Sequence, residues 1–337
     1  MRQATSVTPP TIRDVAKHAG VSYATVSRVL NDSPKVSPAA RKRVRQAIRE
    51  TGFRVNPSAR SLATGRAGAI AFVVTQSVQH FFTDPTFAIL LQAVTNEARQ
   101  LGYALILLMP KIGEGIDESI HFLQSQHVDG ILLATPQLDD PFLKAFGDTS
   151  IPIVACGSVN DPRGQVARVE IDDFGGAAKV GALFKSLNRQ YPVHISGPGE
   201  TGGGRHRLEG FEAGWGNPLP DFAIEVGDYL YESGRLAMQR LLDRYPQVDA
   251  VFAASDSMAR GALSVLAAAG KSVPSEVAVV GFDDHAIATQ MYPHLTTVRQ
   301  HIDEVGVRSA QMLHDLIEGG SAQTCVLPVE LVRRDTA

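Results

Sequence analysis

The amino-terminal part of the chain has apolar residues at helical spacing. The pattern predicts three short helices, over residues 12–19, 23–30 and 38–51, in which apolar positions recur three or four residues apart. Gly20 and Gly52 follow the first and third helices, where a left-handed residue ends a helix at little cost. Hydroxyl side chains precede the helices as candidate caps: Thr11, Ser22 and Ser37. The three helices are expected to enclose a small core of their own.

A different pattern begins at residue 67, where short apolar runs alternate with amphipathic stretches. The runs are AIAFVV, ALILLM, GILLA, PIVAC, RVEID, PVHISG, AIEVG, AVFAA and VAVVGFD, with about eleven strands expected in all. Such βαβ alternation predicts parallel sheets covered by helices, with ligands bound at the carboxyl ends of the strands. The number of strands favours two sheets.

A short segment from Asn56 to Gly65 lies between the two patterns. It has Pro57 near its start and room for about two helical turns, which is below the length at which an isolated helix persists in water. We therefore expect it to order only against a partner and to act as a switchable hinge.

Charge is distributed unevenly along the chain. The first 62 residues hold 12 Lys or Arg and 3 Asp or Glu, a charge of +9, so the remaining 275 carry −12 of the overall −3. Clustered positive charge attracts nucleic acid, while an acidic body repels it. Contact with nucleic acid is therefore expected at the amino-terminal module, although a solvated basic face is the simpler reading.

The chain shows no signal for export or membrane insertion. Its first ten residues lack an apolar run, and no stretch of 18 apolar residues occurs. The two cysteines, Cys156 and Cys325, have neither metal-binding nor redox spacing. We expect a cytoplasmic protein that contacts no membrane, without a metal or a cofactor.

The stretches TIRDVAKHAGVSYATVSRVLN and NPSARSLATGR resemble the helix-turn-helix and hinge helix of the lactose/galactose repressor (LacI/GalR) family of bacterial transcriptional regulators. The resemblance continues through RLEGF, ASDSMARGAL, VAVVGFDD, PHLTTVRQ and LPVELVRR, so it spans most of the chain from Thr11 to Arg334. The sequence departs from the family pattern at LFKSLNRQYPVHISG and at GWGNPLPDF, both on the carboxyl-terminal side of the expected pocket.

The resemblance implies a small all-α helix-turn-helix headpiece and an α/β periplasmic-binding-protein-like core of two doubly wound parallel-sheet subdomains. The expected boundaries are 1–55 for the headpiece, 56–66 for the hinge and 67–337 for the core. Within the core, one subdomain is expected at about 67–166 plus 299–325, and the other at 167–298 plus 326–334.

The second helix of such a headpiece enters the major groove of DNA. Its outward residues Tyr23, Ala24 and Arg28 are expected to read base edges, and Arg28 can pair with guanine. By resemblance, contacts to the DNA backbone fall to Thr11, Ser22, Thr25, Ser27, Asn31, Lys35 and Ser37. The resemblance also implies minor-groove contacts from Asn56, Ala59 and Leu62, with Leu62 wedged between base steps. A palindromic double-stranded operator requires a two-fold partner, so a homodimer is expected.

A small effector is expected to bind between the two core subdomains. By resemblance, the candidates are Phe82, Asp84, Arg207, Tyr229, Asp256 and Asp283. The acidic side chains and Arg207 suit the hydroxyl groups of a sugar or sugar derivative, and a purine or nucleoside is the alternative. The sequence leaves open whether the effector releases or strengthens DNA binding.

Two readings from other functional classes compete with a regulator. The segment GPGETG, residues 197–202, matches the G-x-G-x-x-G pattern of dinucleotide-binding enzymes, but it lies deep in the chain with a proline inside it. A sugar-binding transport protein shares the expected body fold, but the basic headpiece and the missing export signal oppose that reading. The prediction is therefore a transcriptional regulator, with the repressor as the expected type, and not an enzyme.

Overall fold

A computed structural model describes residues 10–30, 33–53, 66–110, 116–134, 137–146, 149–161 and 164–337. The chain divides into two compact units, one up to Ala67 and one from Gly68 to the carboxyl terminus. Each unit has its own hydrophobic core.

The first unit contains the three predicted helices, α1 (Ile12–Ala19), α2 (Tyr23–Leu30) and α3 (Pro38–Thr51). Thr11 and Asp14 form a reciprocal capping box at the start of α1, and Gly20 ends that helix at φ 60°. The helices enclose a core of small side chains: Val15, Ala16, Ala19, Val26, Val29, Val44 and Ala47. The predicted headpiece fold is therefore confirmed.

The second unit contains two six-stranded sheets. The first sheet has the order β11-β5-β4-β3-β1-β2, and the second has the order β12-β10-β9-β8-β6-β7. The strands are β1 (Ala69–Val74), β2 (Ala104–Leu108), β3 (Gly130–Ala134), β4 (Ile153–Cys156), β5 (Ala167–Ile171), β6 (Pro192–Ser196), β7 (Ile224–Val226), β8 (Ala250–Ala253), β9 (Ala278–Asp283), β10 (Thr296–Arg299), β11 (Thr324–Leu327) and β12 (Glu330–Val332). All neighbouring strands run parallel except β12, which pairs antiparallel with β10 at the edge of the second sheet.

Helices connect most of these strands, as the alternating pattern predicts. They are α4 (Val78–Thr83), α5 (Pro85–Gln100), α6 (Ile116–Phe122), α7 (Pro141–Phe146), α8 (Asp173–Ser186), α9 (Gly202–Trp215), α10 (Tyr231–Arg244), α11 (Asp256–Ala268), α12 (Ile287–Gln290) and α13 (Ile302–Ile317). A π-helical turn, Leu123–His127, continues α6, and a 3-10 turn, Asp221–Ala223, precedes β7. Within the described ranges, no helix is long and apolar enough to cross a membrane.

The chain passes between the two sheets three times. It leaves the first sheet after β5, returns after β10 and leaves again after β11. The first crossing comes later than residue 167, the position expected from the sequence, because Ala167 pairs with Val154 of β4 and Arg168 with Thr324 of β11. Residues 167–171 therefore belong to the first sheet, and so does the whole of β11, which extends past the expected limit at residue 325.

A histidine lies in the core of the second sheet. His194, in the middle of β6, is fully buried and stacks on the Phe252 ring at a centroid distance of 4.6 Å. Its Nδ1 donates to the Phe252 carbonyl oxygen at 2.9 Å, while Nε2 is buried and has no hydrogen-bond partner among the described residues. Burial lowers the pKa of His194 to about 4, because a protonated ring there would lose its hydration.

We expect His194 to make the second subdomain sensitive to acid. Because the folded pKa is lowered from 6.5 to about 4, its contribution to stability is complete above pH 6.5 and is lost progressively as the pH falls to about 4. The slope from this residue is up to about 1.4 kcal/mol per pH unit in that window. His194→Asn keeps a hydrogen-bond donor near the position of Nδ1. We expect this variant to be less stable than the parent at pH 7 and its free energy of unfolding to depend less steeply on pH.

Urea unfolding followed through the fluorescence of Trp215, the single tryptophan, measures this effect within the same subdomain. His121→Asn is the matched control, since His121 is exposed on α6. If the free energy of unfolding of His194→Asn depends on pH as steeply as that of the parent, His194 is not the source of the acid sensitivity.

Candidate ligand cavity and nucleic-acid interface

A cavity lies in the second unit, where residues of the crossing segments come together. Its volume is about 140 Å³, well above the roughly 10–15 Å³ that one water molecule requires. Ile171 and Asp173 flank the first crossing and Gln300 and Ile302 flank the second, and all four line the cavity. The lining residues with polar or ionisable side chains are Gln76, His80, Asp84, Thr86, Cys156, Ser158, Asp173, Thr201, Arg207, Tyr229, Asp283 and Gln300.

Arg207 is the central cation of the cavity. It projects from the second turn of α9, and its side chain is only 9% exposed. Its Nε donates to Asp173 Oδ1 at 2.7 Å, its Nη1 donates to the Ala254 carbonyl oxygen at 2.5 Å, and Nη1 lies 3.7 Å from Asp283 Oδ1. The guanidinium carbon lies 3.7 Å from the centre of the Phe282 ring, within cation–π range.

The charge of Arg207 depends on its two acidic neighbours. Burial alone disfavours the charged form, but the carboxylates of Asp173 and Asp283 outweigh burial and raise the pKa of the guanidinium above its ordinary value. Loss of the Asp173 carboxylate, which Arg207 Nε contacts at 2.7 Å, would leave a buried cation poorly compensated, which is a costly arrangement. The three side chains therefore form one electrostatic unit.

Asp283 is held in an unusual environment at the end of β9. Burial raises its pKa to about 6, and the opposing effects of His285 and Arg207 only partly offset burial. Gln300 Nε2 donates to Asp283 Oδ1 at 2.5 Å. The backbone φ of Asp283 is 117°, a region that side chains rarely adopt, so the surrounding structure holds strain at this position.

Tyr229 closes one side of the cavity and is also strained, with φ 70°. Its hydroxyl lies 2.8 Å from Thr201 Oγ1, and its backbone carbonyl accepts a hydrogen bond from Ser255 Oγ at 2.8 Å. Burial raises the pKa of the phenol to about 12. A Cβ at Gly197 would lie 2.2 Å from the Tyr229 ring, so the glycine is required to admit this ring.

The first subdomain contributes Asp84 and His80 from the junction of α4 and α5. Asp84 Oδ1 caps α5 by accepting from the Thr86 amide at 2.9 Å, and Asp84 Oδ2 lies 3.8 Å from His80 Nε2. Thr86 Oγ1 lies 3.5 Å from Nε2 of His285, which belongs to the second subdomain. Groups on both sides of the crossing segments therefore meet at this cavity.

Four of the six predicted effector residues line the cavity: Asp84, Arg207, Tyr229 and Asp283. Phe82 does not, because it lies on the outer face of α4 with 77% of its surface exposed. Asp256 does not either, because its carboxylate is fully buried behind the cavity, where it accepts from the His285 amide and from Thr297 Oγ1. Burial raises the pKa of Asp256 well above its ordinary value.

Sequence reasoning missed Asp173, Gln300, His80 and Thr201 as lining residues. A usable signal existed for two of them, since Asp173 follows β5 closely and Gln300 follows β10 directly, and ligands bind at the carboxyl ends of parallel strands. No local pattern marks His80 or Thr201, which reach the cavity only through the packing of α4 and α9.

The exposed face of α2 is the candidate nucleic-acid interface of the first unit. Tyr23 is 55% exposed, and Ala24 and Arg28 are also exposed, at positions that share one side of the helix. Val26 and Val29 face the core instead. The predicted base-reading residues are therefore gathered on one accessible surface.

Most of the predicted backbone-contacting residues surround α2. Thr11, Ser22, Lys35 and Ser37 are exposed, while Thr25 and Ser27 are half-buried. Ser22 Oγ accepts from the Thr25 amide at 3.2 Å, so Ser22 serves as the helix cap as well. The remaining DNA-contact predictions, at Asn31, Asn56, Ala59 and Leu62, lie outside the described residues.

Two protein-family models match the chain. Residues 11–56 match bacterial regulatory proteins of the lacI family. Residues 67–334 match the family of periplasmic binding proteins and the sugar-binding domain of the LacI family. The two matches together cover both compact units.

Individual relatives match over almost the full length. The HTH-type transcriptional regulator CelR of Thermobifida fusca is 38% identical over 327 residues, which cover 96% of this chain and 95% of that protein. A solved complex of the transcriptional regulator CelR with cellobiose is 36% identical, with a TM-score of 0.77 and coverage of 97% of this chain and 100% of that one. The Lac repressor dimer bound to operator and the anti-inducer ONPF is 28% identical, with a TM-score of 0.84 and coverage of 98% and 99%.

We expect Asp283→Asn to raise stability at neutral pH. The folded pKa of Asp283 is raised from 3.8 to about 6, so protonation stabilises the fold fully below pH 3.8, and this benefit is lost as the pH rises through 6. Asn resembles the protonated acid, keeps Oδ1 for Gln300 and tolerates a positive φ better than most residues. The gain at pH 7 is expected to be about 1–3 kcal/mol and to vanish near pH 4.

Urea unfolding at a series of pH values measures this difference, again through Trp215. Asp221→Asn provides the control, because Asp221 is exposed in the same subdomain and lies outside the cavity. A variant that is less stable than the parent at pH 7 would show that the acid is stabilising as an anion.

Proposed function

Because this chain belongs to the LacI family of bacterial transcriptional regulators, a family of DNA-binding proteins and not of enzymes, we propose that it is a repressor whose operator binding is controlled by a sugar. The observation that carries the proposal is the cavity around Arg207, Asp173 and Asp283.

The chemistry of the cavity suits a polyhydroxylated ligand. Carboxylates accept hydrogen bonds from hydroxyl groups, and an arginine donates to hydroxyl oxygens, so Asp283 and Arg207 can hold adjacent hydroxyls of one ring. Tyr229 and Phe87 supply aromatic surface beside these polar groups, which suits the apolar face of a sugar ring. The strained backbone at Tyr229 and Asp283 fixes both side chains before a ligand arrives.

The solved complex of the relative CelR provides the first candidate for the sugar. Its solved complex contains cellobiose, and this chain aligns with that structure over 97% of its length. We therefore take cellobiose or a related glucose oligosaccharide as the first candidate, with purines and nucleosides as the alternative class.

The crossing segments provide a route from the effector to DNA. A ligand that touches both subdomains favours one of their relative positions, and it can shift the population only by its difference in affinity for the two states. The expected working unit is a homodimer on a palindromic operator with half-sites about one helical turn apart. A change in the relative position of the subdomains in either protomer would therefore alter how the two headpieces are positioned on the operator. The state that the sugar prefers determines whether sugar binding weakens or strengthens operator binding.

In the headpiece, Arg28 is proposed to pair with guanine in the major groove, with Tyr23 and Ala24 setting the preference at neighbouring bases. Thr11, Ser22, Thr25, Ser27, Asn31, Lys35 and Ser37 are proposed to contact the DNA backbone. Asn56, Ala59 and Leu62 are proposed to contact the minor groove through the linker.

Replacement of Arg28 tests the DNA-reading proposal. Arg28→Ala is expected to weaken binding to an operator selected from random DNA by about 1–3 kcal/mol, because one bidentate base contact is lost, while most nonspecific binding survives. Fluorescence anisotropy with the operator and with a scrambled duplex gives both constants at one salt concentration.

Arg49→Ala is the matched control for charge, since Arg49 is an exposed arginine of α3. It is expected to leave the ratio of specific to nonspecific affinity unchanged. A loss of equal size on both duplexes in Arg28→Ala would exclude base reading by Arg28.

Thermal shift in the presence of sugars tests the effector proposal. A ligand at 100 times its dissociation constant adds about 2.7 kcal/mol to the stability of the unit that binds it. We expect a sugar from a panel led by cellobiose to raise the melting temperature of the parent protein and to change its operator affinity. Asp283→Asn is expected to lose most of the shift, while Asp221→Asn keeps it.

A shift with purines or nucleosides and none with sugars would replace the proposed class of effector. A sugar shift that is retained in Asp283→Asn would place the ligand elsewhere.

A further inference from the structure

Carboxylates outnumber arginine among the side chains that line the cavity. Asp84, Asp173 and Asp283 provide three carboxylates, and Arg207 is the one arginine or lysine among the lining residues that the structure describes. The Asp256 side chain is fully buried and does not line the cavity; its Oδ2 accepts a hydrogen bond from the backbone amide of His285. Acidic groups therefore outnumber the cation at the surface that a ligand meets.

The positive charge of Arg207 is already engaged by the protein. Its Nε and Nη1 face Asp173 and Asp283, and Nη1 also donates to the Ala254 carbonyl oxygen. The face of its guanidinium lies against the Phe282 ring. Arg207 can still donate to a hydroxyl group, but its charge is balanced by two acids and does not remain to balance a second anion.

Helix dipoles offset the excess of carboxylates only in part, because acids already occupy the starts of α5 and α8 beside the cavity. Asp84 caps α5 and Asp173 lies in the first turn of α8. The first turn of α9 lacks an acid and lines the cavity through Thr201, Gly202 and Gly203, but the partial positive charge of one helix start, about half a unit charge, is smaller than the excess of the three carboxylates over Arg207.

We propose that the cavity accepts an effector without anionic groups and excludes the phosphorylated form of the same sugar. The inference rests on the proposed function and narrows it to neutral sugars. A phosphate monoester carries close to two negative charges at pH 7, and near unneutralised carboxylates in a poorly hydrated site this repulsion is strong. A free sugar meets the same carboxylates as hydrogen-bond acceptors.

Asp84 is the carboxylate most responsible for the discrimination. Asp173 and Asp283 are balanced in part by Arg207, whereas the contacts of Asp84 within the described part of the chain are the Thr86 amide at 2.9 Å and a histidine, His80, at 3.8 Å. Asp84 also comes from the first subdomain, whereas Arg207 comes from the second, and both line the cavity. Asn is as good a helix cap as Asp, so Asp84→Asn removes the charge and keeps the start of α5.

Titration calorimetry with matched sugar pairs tests the proposal on the full chain. The pairs are glucose and glucose 6-phosphate, ribose and ribose 5-phosphate, and cellobiose and cellobiose 6-phosphate, each at fixed pH and ionic strength. We expect one neutral sugar to bind and its phosphate to bind more weakly by about tenfold or more. Asp84→Asn is expected to narrow that ratio several-fold, while Asp117→Asn, on the exposed start of α6, leaves it unchanged.

Each result has one meaning. A phosphate that binds as tightly as its neutral partner, or more tightly, overturns charge exclusion while leaving the sugar proposal intact. An unchanged ratio in Asp84→Asn overturns the role of Asp84. Binding by none of the six compounds overturns the proposed sugar class, and with it the inference.

Discussion

The second unit depends on how one buried arginine is neutralised. Arg207 is neutralised by Asp173, which forms the direct ion pair at 2.7 Å, and in part by Asp283 at 3.7 Å; the first acid opens α8 after a crossing, and the second ends β9. A buried ion pair of this kind contributes little net stability compared with apolar packing, but it is severely destabilising when broken. The arrangement therefore fixes the relation between the crossing segment and the second sheet.

The residues around Arg207 also carry an energetic cost in the absence of a ligand. Asp283 and Tyr229 have backbone angles that favour glycine, and burial disfavours the anionic form of Asp283. A site that is strained and poorly solvated without ligand can recover part of that cost when hydroxyl groups bind. Because the cavity is lined from both subdomains, a ligand that binds there can favour one arrangement of the two over another.

The glycine-rich segment shows how one motif can satisfy two quite different requirements. In a dinucleotide-binding fold, the glycines of G-x-G-x-x-G let the backbone approach a pyrophosphate. Here Gly197 gives room to the Tyr229 ring and Gly202 gives room to Ser158. The pattern predicts a close approach to the backbone correctly, but it does not say what approaches, since only the spatial neighbours decide that.

The sequence by itself determined the helices of the headpiece, the alternation of strands and helices, and the face of α2 that is exposed, because hydrophobic periodicity and caps act over a few residues. It also placed Arg207, Tyr229 and Asp283 in the cavity through family resemblance. The tertiary structure decided the rest. Asp173 rather than Asp256 meets Arg207 at the cavity surface, and Phe82 points outward although its neighbour Asp84 points inward, because the packing of separate elements sets the direction of each side chain.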